Sequence, residues 1–94
     1  YLNMGFEWDE EKREANIEKH GVDFIRAVKI FANPVLEHFD EREDYGEDRR
    51  IAIGHWREYF IVVVFTWRSE NRRIISAWKA GKDEKEKYYK AING

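Results

Sequence analysis

The spacing of apolar residues divides the chain into helical and extended stretches. Asp9, following Phe6 and Trp8, is placed to cap a helix that runs to His20, and Gly21 ends it. Within that helix Lys12, Asn16, Lys19 and His20 stand at i, i+4, i+7 and i+8, so they share one polar face, which spacing alone assigns to solvent. Asp23 caps a second helix, where Phe24, Ala27, Val28 and Phe31 form the stripe of a helix lying on a core and Ile25 falls off the stripe. Asn33-Pro34 stops it, because proline lacks an N–H and disfavours helical geometry in the residue before it.

Strand-like segments follow at 35–39, 49–55, 59–66 and 72–78, separated by charged or polar turns. The links around Trp56-Arg57-Glu58 and Arg68-Ser69-Glu70-Asn71 are of hairpin length and too short for a helical crossover, so an antiparallel four-stranded meander is expected. The segment from Tyr59 to Phe65 is apolar on both faces and belongs in the middle of the sheet. A last helix covers 82–92, with Tyr88, Ala91 and Ile92 on its apolar stripe. The order is α-α-β-β-β-β-α, an α+β fold with the helices on one sheet face and the other partly open. Residues 1–5 read as an unstructured lead-in and 6–94 as a single domain.

Composition narrows the function classes. No cysteine is present, which excludes disulfides and thiolate metal sites and fits a reducing, cytoplasmic compartment. The longest apolar run, 60–65, is far below the roughly 20 residues of a membrane span, so no membrane association is expected. The histidines at 20, 38 and 55 have no metal-ligand spacing, and no glycine-rich phosphate loop or dinucleotide fingerprint occurs, so neither metal nor cofactor is predicted. Net charge is −2, which argues against broad attraction to nucleic acid. The distribution is uneven, however: Asp40, Glu41, Glu43, Asp44, Glu47 and Asp48 cluster mid-chain, whereas Arg68, Arg72, Arg73, Lys79 and Lys82 follow. Any RNA contact is therefore local.

The side chains on hand suit metal-free RNA cleavage, which needs a base for the 2′-hydroxyl, cations for the phosphorane and an acid for the leaving oxygen. Their order along the chain is recognisable. Phe6-Glu7-Trp8-Asp9 with Lys12, Asn16 and Lys19-His20-Gly21-Val22, then Phe24, Ala27, Phe31 and Pro34, resembles the opening of the BrnT toxins. Further matches are Asp40-Glu41-Arg42, Arg49, Ile51-Ala52-Ile53-Gly54, Val63-Val64-Phe65-Thr66, Arg73-Ile74-Ile75-Ser76-Ala77, Lys79-Ala80 and Tyr88-Tyr89, so the resemblance spans 6–89. It implies a RelE-like fold, an RNA-cleaving toxin and neutralisation by a BrnA-type antitoxin. It also implies catalytic roles for Arg49, Arg73, Lys79 and His20, with Arg73 and Lys79 binding phosphate, and RNA-binding roles for Lys12, Arg68 and Tyr88. The base is not identified.

Two departures from the family pattern stand out. Trp67 occupies a position where the family usually carries glutamate, and Trp78 one where it usually carries arginine. Indole neither accepts a proton nor neutralises a phosphorane, so two tryptophans on the active surface imply impaired turnover. A second reading follows from the same residues: Ile25, Trp56, Tyr59, Trp67 and Trp78 form an exposed aromatic patch for a protein partner, on a natural or engineered binding module built on this scaffold. A second copy of the chain is a further candidate partner.

Overall fold

In the computed structural model, which describes residues 5–93, the elements are β1 (Phe6–Glu7), α1 (Glu10–His20), α2 (Phe24–Ala27), a 3-10 segment (Val28–Ala32), β2 (Leu36–Phe39), β3 (Arg50–Trp56), β4 (Tyr59–Arg68), β5 (Asn71–Lys79) and α3 (Lys82–Asn93). The expected lead-in lies outside the described residues except for Gly5, which has φ +83° and accepts a hydrogen bond from the Arg72 N–H at 2.8 Å.

β4 forms the middle of the sheet, as its run of apolar residues dictates; the strand order is β1-β5-β4-β3-β2. β2 to β5 make the antiparallel meander. The sheet nevertheless has five strands and is mixed, because β1 adds parallel to β5 with Phe6 opposite Arg72 and Glu7 opposite Arg73. Two residues carry no periodicity, so β1 left no pattern to read. Both hairpin turns are two residues long, with Arg57 and Ser69 at positive φ (57° and 56°).

α1 keeps its predicted ends: the Asp9 side chain accepts from the Glu11 N–H at 2.8 Å, and Gly21 adopts the left-handed conformation at φ 71°. The second helix is shorter than expected. After Ala27 it tightens into the 3-10 segment, whose three-residue turn carries the buried column onward from Phe24 and Ala27 to Ile30. This column packs on Ala52, Ile61, Val63, Phe65, Ile74 and Ala77, which form the first sheet face. Gly54 permits that approach, since a Cβ there would meet Val35 Cγ1 at 2.8 Å and Ile30 Cβ at 3.2 Å.

The helices do not share a face. α3 lies on the opposite side, where Tyr88 is buried with Ile53 and Val62, and Leu36, Ile51, Phe60 and Trp78 pack around them. Only Tyr88 of the predicted α3 stripe is buried; Ala91 and Ile92 are exposed. α3 touches β2 and β3, so the β5 side of this second face stays uncovered by helix.

A β-bulge decides what that face presents. Val64 pairs with Ser76 but Phe65 pairs with Ile74, leaving Ile75 as the extra residue. Simple alternation would put Ile74 beside Ser76 and Trp78; the bulge instead sends Ile74 into the first-face core and turns Arg73 onto the second face, opposite Thr66.

The open edge of β5 is closed by a side chain. Asn16 Nδ2 donates to the carbonyls of Ala77 (2.8 Å) and Val22 (2.9 Å), and the Ala77 N–H donates to Asn16 Oδ1 at 3.1 Å. Asn16 is buried, so of the polar α1 face expected to be solvated this one residue docks on the sheet edge, while Lys12 and Lys19 stay exposed.

Candidate active site

Trp78 on β5 forms the floor of an open cleft completed by Lys19, His20, Arg42, Ser76 and Lys79. Three elements deliver these residues: the end of α1, held by Asn16; the last residues of β5; and the β2–β3 loop, which crosses back over the second face from the far edge of the sheet. The His20 ring centroid is 6.0 Å from that of Trp78, and the Arg42 guanidinium carbon lies 5.6 Å from the indole centroid. The indole Nε1 donates to Glu84 at 3.3 Å. Glu84 also accepts the Gly81 N–H at 2.7 Å, the side-chain half of a capping box at the start of α3.

Arg42 is clamped from below. Its Nε and Nη2 donate to the two oxygens of Asp40 at 2.8 and 2.7 Å, and its backbone N–H adds a third bond at 3.2 Å. The hydrogen bonds from Arg42 hold the buried Asp40 carboxyl down to about 2, against the opposing effect of burial, and the same pairing pushes the Arg42 guanidinium up.

Farther along the second face Arg73 pairs with Glu7 at 2.9 Å. Hydrogen bonds from Asn71 and Arg73 hold the Glu7 carboxyl below its usual value. Arg49, just before β3, pairs with Glu47 at 3.0 Å and lies 4.0 Å from the Tyr45 ring centroid. Thr66 ties the two regions together by donating to the Asp48 carbonyl at 2.7 Å.

Of the four residues expected to be catalytic, His20 and Lys79 line the cleft, whereas Arg73 and Arg49 sit beyond it in ion pairs with residues of this chain. Lys12 and Arg68 are exposed and outside the cleft. Tyr88 is corrected: its ring is buried under α3, its hydroxyl donates to the Pro34 carbonyl at 2.8 Å, and burial raises its pKa, so it does not face RNA. Lys19, Arg42 and Ser76 were missed as site residues. Only the paired spacing of Asp40 and Arg42 could have signalled the clamp, and nothing in it tells where the loop lies.

The expected aromatic patch is also divided. Trp56 and Tyr59 flank the β3–β4 turn; Arg26 lies 5.5 Å from the Tyr59 ring, and Lys29 and Arg57 lie 5.7 and 5.5 Å from the Trp56 ring. Ile25, beside Arg26, is exposed near them. Trp67 stands eight residues along β4, about 26 Å away at strand rise. It is on the first face opposite Arg72, whose guanidinium packs 4.6 Å from its ring and 4.3 Å from that of Phe31. Trp78 is half-buried on the other face. The two unusual tryptophans thus do not share a surface.

Among the described residues no cluster of three or more His, Asp or Glu side chains could hold a metal ion, and no helix is long and apolar enough to cross a membrane. A family model described as the ribonuclease toxin BrnT of type II toxin-antitoxin systems matches residues 8–84. The chain belongs to the BrnT toxin family. Its fold matches the crystal structure of the Brucella abortus ribonuclease toxin BrnT with a TM-score of 0.68 and 29% identity, over 85% of this chain and 100% of that one. No curated protein sequence matches it. Of the two tryptophans expected to depart from the family pattern, Trp78 lines the cleft, while Trp67 lies opposite Arg72 on the other side of the sheet.

Proposed function

We propose that this BrnT-family chain cleaves single-stranded RNA without a metal ion, in the cleft on the second sheet face. The observation that carries the reading is the convergence of His20 with Lys19, Arg42 and Lys79 around Trp78, on the part of the face that α3 leaves uncovered. Imidazole is the side chain suited to taking a proton near neutral pH, so His20 takes the proton of the 2′-hydroxyl. The 2′-oxygen attacks phosphorus, the P–O5′ bond breaks as the departing 5′-oxygen takes a proton from water in the open cleft, and the surrounding cations stabilise the phosphorane charge. Arg73 and Arg49 extend the basic track along the face. Trp78 adds no charge, so turnover is lower than in a cleft with arginine at that position. Purified chain in EDTA should cut a mixed-sequence RNA into fragments ending in 2′,3′-cyclic phosphate. Intact RNA after incubation with correctly folded protein overturns the reading.

A BrnA-type antitoxin is the partner this reading requires. Ile17, Ile25 and Tyr59 are 38%, 43% and 40% exposed, and with Trp56 they form the apolar end that favours a protein-binding role. Tyr59→Ala with Ile25→Ser should weaken antitoxin binding at least tenfold; unchanged affinity removes that surface from consideration.

A further inference from the structure

Ion-paired arginines of this chain differ in what they leave available. Arg13, Arg49, Arg50 and Arg73 have side-chain exposures of 21%, 22%, 34% and 29%, and each pairs with a carboxylate that is itself partly exposed. Arg42 is the reverse case. Its side chain is 55% exposed, while the Asp40 carboxylate that holds it is 0% exposed. Two of the five guanidinium N–H donors are engaged by Asp40 and the Tyr45 side chain is a further hydrogen-bond partner, which leaves about two donors for a ligand. The clamp removes most of the conformational freedom that a surface arginine loses on binding an anion.

Beside this fixed cation stands a fixed aromatic plane. Trp78 is anchored through Nε1 to Glu84, packs with Ala80 against the second-face core, and lines the cleft between His20 and Arg42. An indole bordered by a guanidinium and two lysines matches one nucleotide: the base has a π-face for the ring, and its phosphate has two oxygens for the guanidinium fork. An acidic side chain would use the cations but leave the indole without a planar partner.

We propose that Asp40, Arg42 and Trp78 form a nucleotide subsite in which Arg42 anchors a phosphate of single-stranded RNA and Trp78 stacks the adjoining base. Arg42 binds substrate directly, and Asp40 is a positioning residue acting through it. The β2–β3 loop thereby becomes part of the RNA surface, closing the cleft from the side opposite α1. The inference rests on the RNA-cleaving reading of the same cleft and names its substrate contacts.

The test uses a fully 2′-O-methylated single-stranded oligonucleotide, which lacks the nucleophile and cannot be cut. Its binding is followed by fluorescence anisotropy across a salt series. Arg42→Gln keeps a hydrogen bond to Asp40 but removes the charge; it should weaken binding about tenfold and reduce the slope of log affinity against log salt by about 0.7, as expected when one fewer phosphate of a single strand is neutralised. Arg42→Lys should recover part of the affinity, and Asp40→Asn should weaken binding with the salt slope retained. Trp78→Leu, checked for folding by circular dichroism, should weaken binding about tenfold with the slope unchanged, as removal of one stacking platform predicts. Folded Arg42→Gln that cleaves poorly yet binds the probe with wild-type affinity and slope overturns the subsite while leaving RNA cleavage in place. Wild type that binds the probe through Arg42 but leaves natural RNA intact does the opposite. Failure of the wild type to bind the probe, or tighter binding of poly-glutamate than of the probe, also overturns the subsite.

Discussion

Asn16→Ala is the most informative perturbation of the scaffold, because one buried amide joins α1 to the sheet edge and sets where His20 stands. The substitution strips a partner from the carbonyls of Val22 and Ala77 and from the N–H of Ala77, at bond lengths of 2.9, 2.8 and 3.1 Å. Each buried group left unsatisfied costs about 1–3 kcal/mol, and water admitted to the gap recovers part of it, so the expected loss is about 3–4 kcal/mol. Against the 5–15 kcal/mol typical of a domain, this is a large fraction, equivalent to a fall in Tm of roughly 15–25 °C at this chain length. Urea denaturation followed by circular dichroism measures it. Lys12→Ala, one turn earlier on the same helix face but exposed, is the control and should change stability by less than about 0.5 kcal/mol. Asn16→Asp should also be severely destabilised, since it keeps the acceptor for Ala77 N–H but sets a carboxylate against two carbonyls. A loss below about 1 kcal/mol for Asn16→Ala, or one equal to the control, refutes the claim that this amide closes the β5 edge.

Other consequences are independent of that edge. The Asp40 carboxyl is held at about 2, below the value near 3.9 of an unfolded chain, so its contribution is complete above about pH 4 and is lost as pH falls toward 2. Wild type should therefore lose roughly 2 kcal/mol more than Asp40→Asn between pH 5 and pH 2, measured by urea titration at each pH. Trp67→Glu exchanges the ring contact with Arg72 for an ion pair on the first face, so RNA cleavage should stay within twofold of wild type; a larger change would show that position 67 acts on the cleft after all. Ser69→Gly relieves a positive φ in the β4–β5 turn and should raise stability by about 0.5–1 kcal/mol in thermal denaturation; destabilisation would mean that the serine side chain has a role in that turn.

Local signals in the sequence were strong where a residue acts on its own neighbourhood. Asp9 and Gly21 bound α1 because capping needs only the nearest backbone, and the apolar run of β4 placed that strand in the centre without reference to anything else. What escaped the pattern depends on distant partners. The pair Phe6–Glu7 becomes a strand only because β5 offers it an edge, and the extra residue Ile75 is invisible until the pairings of Val64 and Phe65 are known. That single bulge moves Ile74 off the face of Ser76 and Trp78 and turns Arg73 onto it, while Trp67 and Trp78 fall on opposite faces by the alternation of β4 itself, Trp67 standing five residues beyond Val62, the partner of Trp78. Asn16 looked solvated since its partner lies 61 residues away. The cleft was half legible: His20 and Lys79 were expected in it, but Arg42 reaches Trp78 only through the path of a charged loop, whose sequence reads as plain solvated surface.

RNA cutting through a side-chain base in the cleft is probed by comparing wild type with His20→Gln on one natural RNA in EDTA, by single-turnover cleavage. Glutamine can keep the polar contacts of the imidazole but cannot carry the proton, so the rate should fall at least about 100-fold while the Tm stays within a few degrees. A His20→Gln variant that cleaves as fast as wild type would contradict the account.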